Sequence, residues 1–319
     1  MQHTAFEKII VIGYGKITGD ILEYIINRQK EYGFSVAFIE HEVHPFGVTE
    51  KICRENGVPF TRIEEKQKLA AHLCAESEKT LIVSASNNFL FPKALVEKEN
   101  ITIINFHNAL LPDYPGRNAP SWVIFAGEKE SGITWHYVTA GIDAGNIIIQ
   151  KRCEIGADTK AFELAGKLME LAFEAFAECF DDVVREQART KVQHFGTGRR
   201  MYRSYEVPAD GFFELTEEPA YIYRLLRSMD YGKNGIFPPA QTEIRGKRAE
   251  ILRYRKTAGE AVLLAERTKR EEERGNEIAE KEAGSVENAV SVSENENTEG
   301  FVYLPLAENR VLKIKYRML

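Results

Sequence analysis

Short apolar runs alternate with helical spacings along the first third of the chain. Lys8-Ile9-Ile10-Val11-Ile12 stops at Gly13-Tyr14-Gly15, after which apolar positions recur at helical spacing through Ile21, Leu22, Tyr24 and Ile25. Ser35-Val36-Ala37-Phe38-Ile39 reads as a second strand. Thr80-Leu81-Ile82-Val83-Ser84 and Ile101-Thr102-Ile103-Ile104-Asn105-Phe106 read as two more, with helical material between. Buried runs alternating with helices predict an α/β fold whose mostly parallel sheet is covered on both faces. Chemistry in such sheets sits in the crevice beyond the carboxyl ends of the strands, and residues 105–112 leave one of those ends.

Two further strand candidates, Gly132 to Val138 and Asn146 to Gln150, are joined by Thr139-Ala140-Gly141-Ile142-Asp143-Ala144-Gly145. The glycines around Asp143 suit a backbone that takes unusual angles or approaches a ligand closely. Asp158 and Thr159 supply a helix cap, and Leu164, Leu168, Leu171, Ala175, Cys179 and Val183 keep an apolar stripe at helical spacing, read as core packing. The pattern breaks around Gly196 to Arg200. The expected division is a catalytic domain at 1–195 and, at 196–319, a linker and a smaller β-rich C-terminal domain. That second domain holds one helix, Ala220 to Met229, and strands including Glu250 to Tyr254 and Phe301 to Leu306. In a last strand Leu312, Ile314 and Tyr316 alternate with Lys313 and Lys315.

Charge changes this picture in one place. Glu266 to Gly300 holds eleven Glu against five Lys and Arg, which accounts for the whole formal net charge of -6. That stretch has few large apolar residues, so its expected state is a disordered acidic insertion. The remaining body is close to neutral, which gives no strong electrostatic case for nucleic acid, DNA least of all. No apolar run is long enough to span a bilayer, and the N-terminus lacks a signal-peptide stretch. Cys53, Cys74, Cys153 and Cys179 are scattered without a CxxC spacing, as expected of reduced thiols in a cytoplasmic protein.

Asn105-Phe106-His107 lies where a buried strand ends. Alternate residues of a strand share a face, so Asn105 and His107 project together. Asn offers a neutral donor and His a titratable one. Asp143 follows in its glycine-flanked loop, and a carboxylate beside an imidazole orients it and favours its charged form. Acyl transfer to an amine needs donors for the oxygen that gains charge and groups that move a proton from the amine to the leaving nitrogen. Asn105, His107 and Asp143 form the minimum set for those tasks. Singly, each also has an ordinary structural reading, as a hydrogen-bonder at a strand end or a turn former.

The stretch Ile104-Asn105-Phe106-His107-Asn108-Ala109-Leu110-Leu111-Pro112, with Gly116, Ala119-Pro120, Trp122, Gly127-Glu128, Gly132-Ile133-Thr134 and Ile142 to Ile147, resembles the formyltransferase superfamily. That group includes methionyl-tRNA, glycinamide ribonucleotide and amino-sugar formyltransferases. The resemblance implies a Rossmann-like N-terminal domain and 10-formyltetrahydrofolate as formyl donor. It implies that Asn105 and His107 stabilise the formyl oxygen, and that Asp143 keeps His107 protonated and assists proton transfer. It also implies that the pterin ring lies among the backbone of Thr139, Ala140, Gly141, Ile142 and Gly145 and the segment Asn88-Phe89-Leu90-Phe91. For Phe89, Leu90 and Phe91, ordinary core packing is the alternative.

Two departures bear on the acceptor. Asn108-Ala109 replaces the Pro-Ser that commonly follows the His, and with Trp135-His136 this looks like formyltransferase domains associated with non-ribosomal peptide synthesis. The basic loop with which the methionyl-tRNA enzyme grips its substrate is absent after strand two, where Glu40-His41-Glu42-Val43-His44 stands. A small or carrier-tethered amine is therefore expected ahead of tRNA or an amino-sugar nucleotide. Competing readings are an NAD-dependent oxidoreductase, from Gly13, Gly15, Gly19 and Glu40, and a binding module that has lost activity. His41 and His44, with no further ligand placed by the sequence, are expected as exposed loop residues and not as a metal site.

Overall fold

The computed structural model describes residues 2–41, 47–196, 200–258, 291–294, 299–307 and 310–319. The chain divides into two compact units: Met1–Val123, Glu128–Thr159 and Glu163–Ser204 form the first, and Ile124–Gly127, Lys160–Phe162 and Tyr205–Leu319 the second. Residues 200–204, which the sequence reading places beyond the catalytic domain, lie in the first unit. The cause is local: Tyr202 pairs its backbone with Gly116 and stacks its ring on Trp122 at 4.4 Å. Among the described residues no helix is long and apolar enough to cross a membrane.

In the first unit the chain runs β1 (Lys8–Gly13), α1 (Gly15–Tyr32), β2 (Ser35–Glu40), α2 (Val48–Asn56), β3 (Phe60–Arg62), α3 (Lys66–Cys74), β4 (Thr80–Ala85), α4 (Lys93–Val96) and β5 (Ile101–His107). Then follow α5 (Ala119–Ala126), β6 (Glu130–Tyr137), β7 (Ile147–Glu154) and α6 (Ala161–Val184). The sheet order is β3-β2-β1-β4-β5-β6-β7; β1 to β5 are parallel, and β6 and β7 are antiparallel additions at one side. It is a Rossmann-like, mostly parallel sheet, as expected.

Both faces are covered because the parallel strands are apolar on both. Ile10, Ile12, Ile82 and Ile103 pack with Leu69 and Leu73 of α3 and Leu95 of α4 in one cluster. Elsewhere, Tyr24 of α1 meets Phe173, Phe176 and Phe180 of α6 edge to face, and the Trp135 indole donates to Ala172 O at 2.9 Å. Gly13 is required by close approach: a Cβ there would fall 1.7 Å from Ala85 O.

The second unit holds α7 (Pro219–Met229) and an antiparallel sheet of β8 (Gln241–Ile244), β9 (Lys247–Ala258), β10 (Ser291–Glu294), β11 (Glu299–Leu306) and β12 (Arg310–Met318), in the order β10-β11-β12-β9-β8. The alternation expected around Leu312 holds, with Leu312, Ile314 and Tyr316 buried. The acidic segment 266–300 lies outside the described residues except for 291–294 and 299–300. Those residues correct the expectation of disorder: Ser291–Glu294 form a strand paired to β11, and Glu299 and Gly300 begin β11 itself. Backbone pairing orders them, which apolar content does not report.

Candidate functional site

Asn105 and His107 close β5, and the antiparallel partner strand sets Asn105 opposite His136 and His107 opposite Thr134. Beyond β5 the chain is pinned by Thr134, whose hydroxyl donates to Ala109 O at 2.7 Å and accepts from Leu111 N–H at 3.1 Å. Gln150 adds a donor to Leu111 O at 2.9 Å. The backbone from Ala109 to Leu111 is thus held by strand side chains.

The three expected catalytic residues come together. His107, 5% exposed, faces Asp143 Oδ2 with Nδ1 at 3.6 Å and Tyr114 O with Nε2 at 2.9 Å. A carbonyl only accepts, so Nε2 carries hydrogen. A doubly protonated ring has its second N–H, on Nδ1, turned toward the carboxylate. Asp143 Oδ2 also accepts the Gly116 N–H at 2.7 Å, and its Oδ1 lies 3.6 Å from His136 Nε2. Asn105 is oriented from its far end, because the Ser84 hydroxyl donates to its Oδ1 at 2.8 Å. Its Nδ2 donates to Phe106 O at 3.0 Å and lies 3.3 Å from His136 Nε2. His107 and His136 thus both border the Asp143 carboxylate, and Asn105 reaches this cluster through His136.

The unusual angle in the 139–145 loop falls on Asp143 itself, at φ 47°. Gly145 serves close packing, since a Cβ there would lie 1.8 Å from Tyr137 O. Gln193, 6% exposed, donates from Nε2 to Asp143 O at 3.0 Å and to Gly145 O at 2.7 Å. Sequence reasoning missed His136, Tyr114 and Gln193 as supports of this site. His136 was reachable only through the antiparallel register; the other two act on or through backbone atoms and leave no signature.

The residues assigned to the pterin ring divide by exposure. Phe89 is buried in the cluster with Ile10 and Ile82, edge on to Phe91 at 5.3 Å, and Phe91 and Val138 pack on the same cluster. Phe89 thus offers a ligand its backbone and not its ring. Leu90 is 70% exposed and Ile142 40%, and Thr139, Ala140 and Gly141 are exposed. Asn88 is half-buried.

Glu40 and His41 are engaged elsewhere. The Glu40 carboxylate is buried and accepts from Arg62 Nε at 2.5 Å, which takes up the acid that a dinucleotide ribose would need. His41 is not an exposed loop residue: it is buried, with Nδ1 2.8 Å from Ile63 O and its ring edge on to Phe89. Glu42, Val43 and His44 lie outside the described residues. Cys53, Cys153 and Cys179 are buried free thiols; burial pushes Cys53 up to about 11 and Cys179 up to about 12, so neither supplies a thiolate near neutrality.

The Formyl transferase family model matches residues 7–179, a span that includes β1 to β7 and all three convergent residues. Over 91 residues, 28% of this chain and 29% of that protein's length, the sequence is 43% identical to the methionyl-tRNA formyltransferase of Alkaliphilus oremlandii. The GDP-perosamine N-formyltransferase of Brucella melitensis is 24% identical over 240 residues, 75% of this chain and 90% of that one. Among solved structures, the N-formyltransferase of Helicobacter canadensis in complex with folinic acid and dTDP-3-aminofucose matches with a TM-score of 0.63. That match has 16% identity, covers 98% of this chain and 100% of that one, and speaks to the fold alone. The chain belongs to the formyl transferase family.

Proposed function

We propose that the chain transfers a formyl group from 10-formyltetrahydrofolate to an amine, and that the acceptor is a small or carrier-tethered amine. The observation that carries this is the cluster in which His107 and His136 both border the Asp143 carboxylate and Asn105 meets His136. The folate supplies the formyl group and a nitrogen that leaves. Asn105 Nδ2 and a protonated His107 Nδ1 are donors for the oxygen that gains charge, and Asp143 accepts the proton released by the attacking amine and returns it toward the leaving nitrogen. The pterin ring is assigned to the exposed residues 139–142 with the buried Gly145 beside them and to 88–91, flanked by the apolar Leu90 and Ile142; a flat apolar ring with polar edges suits such a lining. We place the reaction in the cytoplasm, which suits four free cysteines.

For the acceptor, the support is charge. Outside the acidic segment the sequence is near neutral, whereas a tRNA acceptor calls for several Lys and Arg on phosphates. The test is a panel in which the purified chain and 10-formyltetrahydrofolate meet a carrier-tethered amine, amino-sugar nucleotides and methionyl-tRNA, with released tetrahydrofolate as readout. Turnover with the carrier-tethered or another small amine, nearly insensitive to salt, is expected. Fast, steeply salt-dependent formylation of methionyl-tRNA overturns the choice of acceptor, and the absence of turnover with every amine overturns formyl transfer.

A further inference from the structure

His136 belongs to none of the catalytic tasks assigned above, yet it touches two of the three groups that perform them. Its ring is 2% exposed and sits on β6 directly opposite Asn105. Nδ1 lies 2.9 Å from Tyr137 O, and a carbonyl only accepts, so Nδ1 must carry hydrogen. In the neutral ring, Nε2 then presents a lone pair. That lone pair is 3.3 Å from Asn105 Nδ2, which only donates.

We propose that His136 is a positioning residue for formyl transfer: held as its Nδ1–H tautomer by Tyr137 O, it accepts from Asn105 Nδ2 and fixes which way that amide is turned. The proposal rests on the formyl-transfer reading. The opposite amide orientation is blocked at both ends, because Asn105 Oδ1 would meet the His136 lone pair and lose the Ser84 hydroxyl donor. With one Nδ2 hydrogen on His136, the other, which meets Phe106 O here, is the one a formyl oxygen would take, and an amide turned the other way would offer an oxygen in its place. The same Nε2 lies 3.6 Å from Asp143 Oδ1, so one ring borders both the donor for the oxyanion and the carboxylate that handles the proton. A histidine that only filled space would need no such pairing, and a buried leucine would replace it.

Three variants separate positioning from packing. His136→Gln keeps an acceptor near the place of Nε2. His136→Asn keeps a donor near the place of Nδ1 and loses the acceptor. His136→Leu loses both. His136→Gln is expected within about threefold of the parent kcat, whereas His136→Asn and His136→Leu fall roughly tenfold or more with KM for donor and acceptor unchanged. Circular dichroism melts check that the variants fold alike. Nitrogen NMR of histidine-labelled parent protein is expected to show the His136 ring as the Nδ1–H tautomer, independently of activity. An Nε2–H ring, parent-like turnover in His136→Asn, or losses in all three variants that simply follow their melting points would each overturn the role of His136 and leave formyl transfer standing. A parent inactive with every amine would overturn the formyl-transfer reading, and this role with it, whichever tautomer is seen.

Discussion

Replacing Gln193 with Leu is expected to impair turnover far more than it impairs stability. Gln193 Nε2 is shared between the carbonyls of Asp143 and Gly145, and its own Oε1 is buried without a partner among the described residues. Asp143 sits at φ 47°, a region that costs an L-residue roughly 1–2 kcal/mol, with Asp among those that tolerate it best. Two hydrogen bonds contribute about 1–3 kcal/mol together, so the anchor and the strain it holds are of one size. Removing the anchor frees the loop to relax. If about 2 kcal/mol of bias toward the observed Asp143 conformer is lost, the competent population falls by roughly thirtyfold, and kcat with it.

Global stability responds less, because the Leu variant also removes the unpaired Oε1, whose burial costs about 1–3 kcal/mol on the same scale. The assay is steady-state kcat and KM beside a thermal melt. Gln193→Glu serves as a second probe, since it turns an acceptor toward two carbonyls and is expected to lose turnover likewise. Parent-like kcat in Gln193→Leu would refute the reasoning, as would a kcat loss that a drop in melting temperature fully accounts for.

Gly145→Ala places a Cβ 1.8 Å from Tyr137 O and is expected to lower the melting temperature by roughly 3–10 °C, the range for overpacking of about 1–3 kcal/mol. In the second unit burial alone would raise the Asp230 carboxyl, but the Lys160 ammonium at 2.8 Å and the Tyr254 hydroxyl at 2.7 Å outweigh it and hold Asp230 below its ordinary range. A depressed carboxylate contributes stability that is present above its unfolded pKa of about 4 and lost as pH falls through the lower folded value. Acid melts should therefore show parent protein losing more stability below about pH 4 than Asp230→Asn does, and identical acid profiles would contradict this. Replacing residues 266–290 with a short Gly-Ser turn should leave turnover intact, whereas extending the cut to 300 removes β10 and the start of β11 and should lower the melting temperature. His107→Asn and Asp143→Asn should each cost on the order of a hundredfold in kcat, and the double variant far less than the product, because the two act on one proton inventory; losses that multiply would separate them.

The chain announces some of these elements and hides others for identifiable reasons. β1, β2, β4 and β5 are legible because a strand buried on both faces must be apolar throughout, and β12 because one covered face imposes alternation. β3 is three half-exposed residues added to β2 and has no room for a pattern. α5, Ala-Pro-Ser-Trp-Val-Ile-Phe-Ala, is so apolar that no amphipathic period survives. The hairpin between β8 and β9 turns through Arg245 and Gly246, both at positive φ, without the Asn or Asp that usually marks such a turn. At the site, Asn105, His107 and Asp143 are legible as a family signature. Their supports are not, because Tyr114 and Gln193 bond through or to main-chain atoms, and main-chain atoms look alike in every sequence.

That division follows from what the site has to hold. Asp143 is one anion among two imidazoles and a backbone N–H, and each neighbour comes from a different stretch of chain: His107 from β5, Gly116 from the loop beyond it and His136 from β6. Antiparallel β6 makes this possible. Running back along β5, it sets Thr134 opposite His107, His136 opposite Asn105 and Tyr137 opposite Ile104, and the 139–145 loop that follows brings Asp143 to 3.6 Å from both imidazoles. The register of β6 on β5 therefore brings His136 and His107, far apart in sequence, to one carboxylate, and it ties the identity of position 136 to the chemistry at 105.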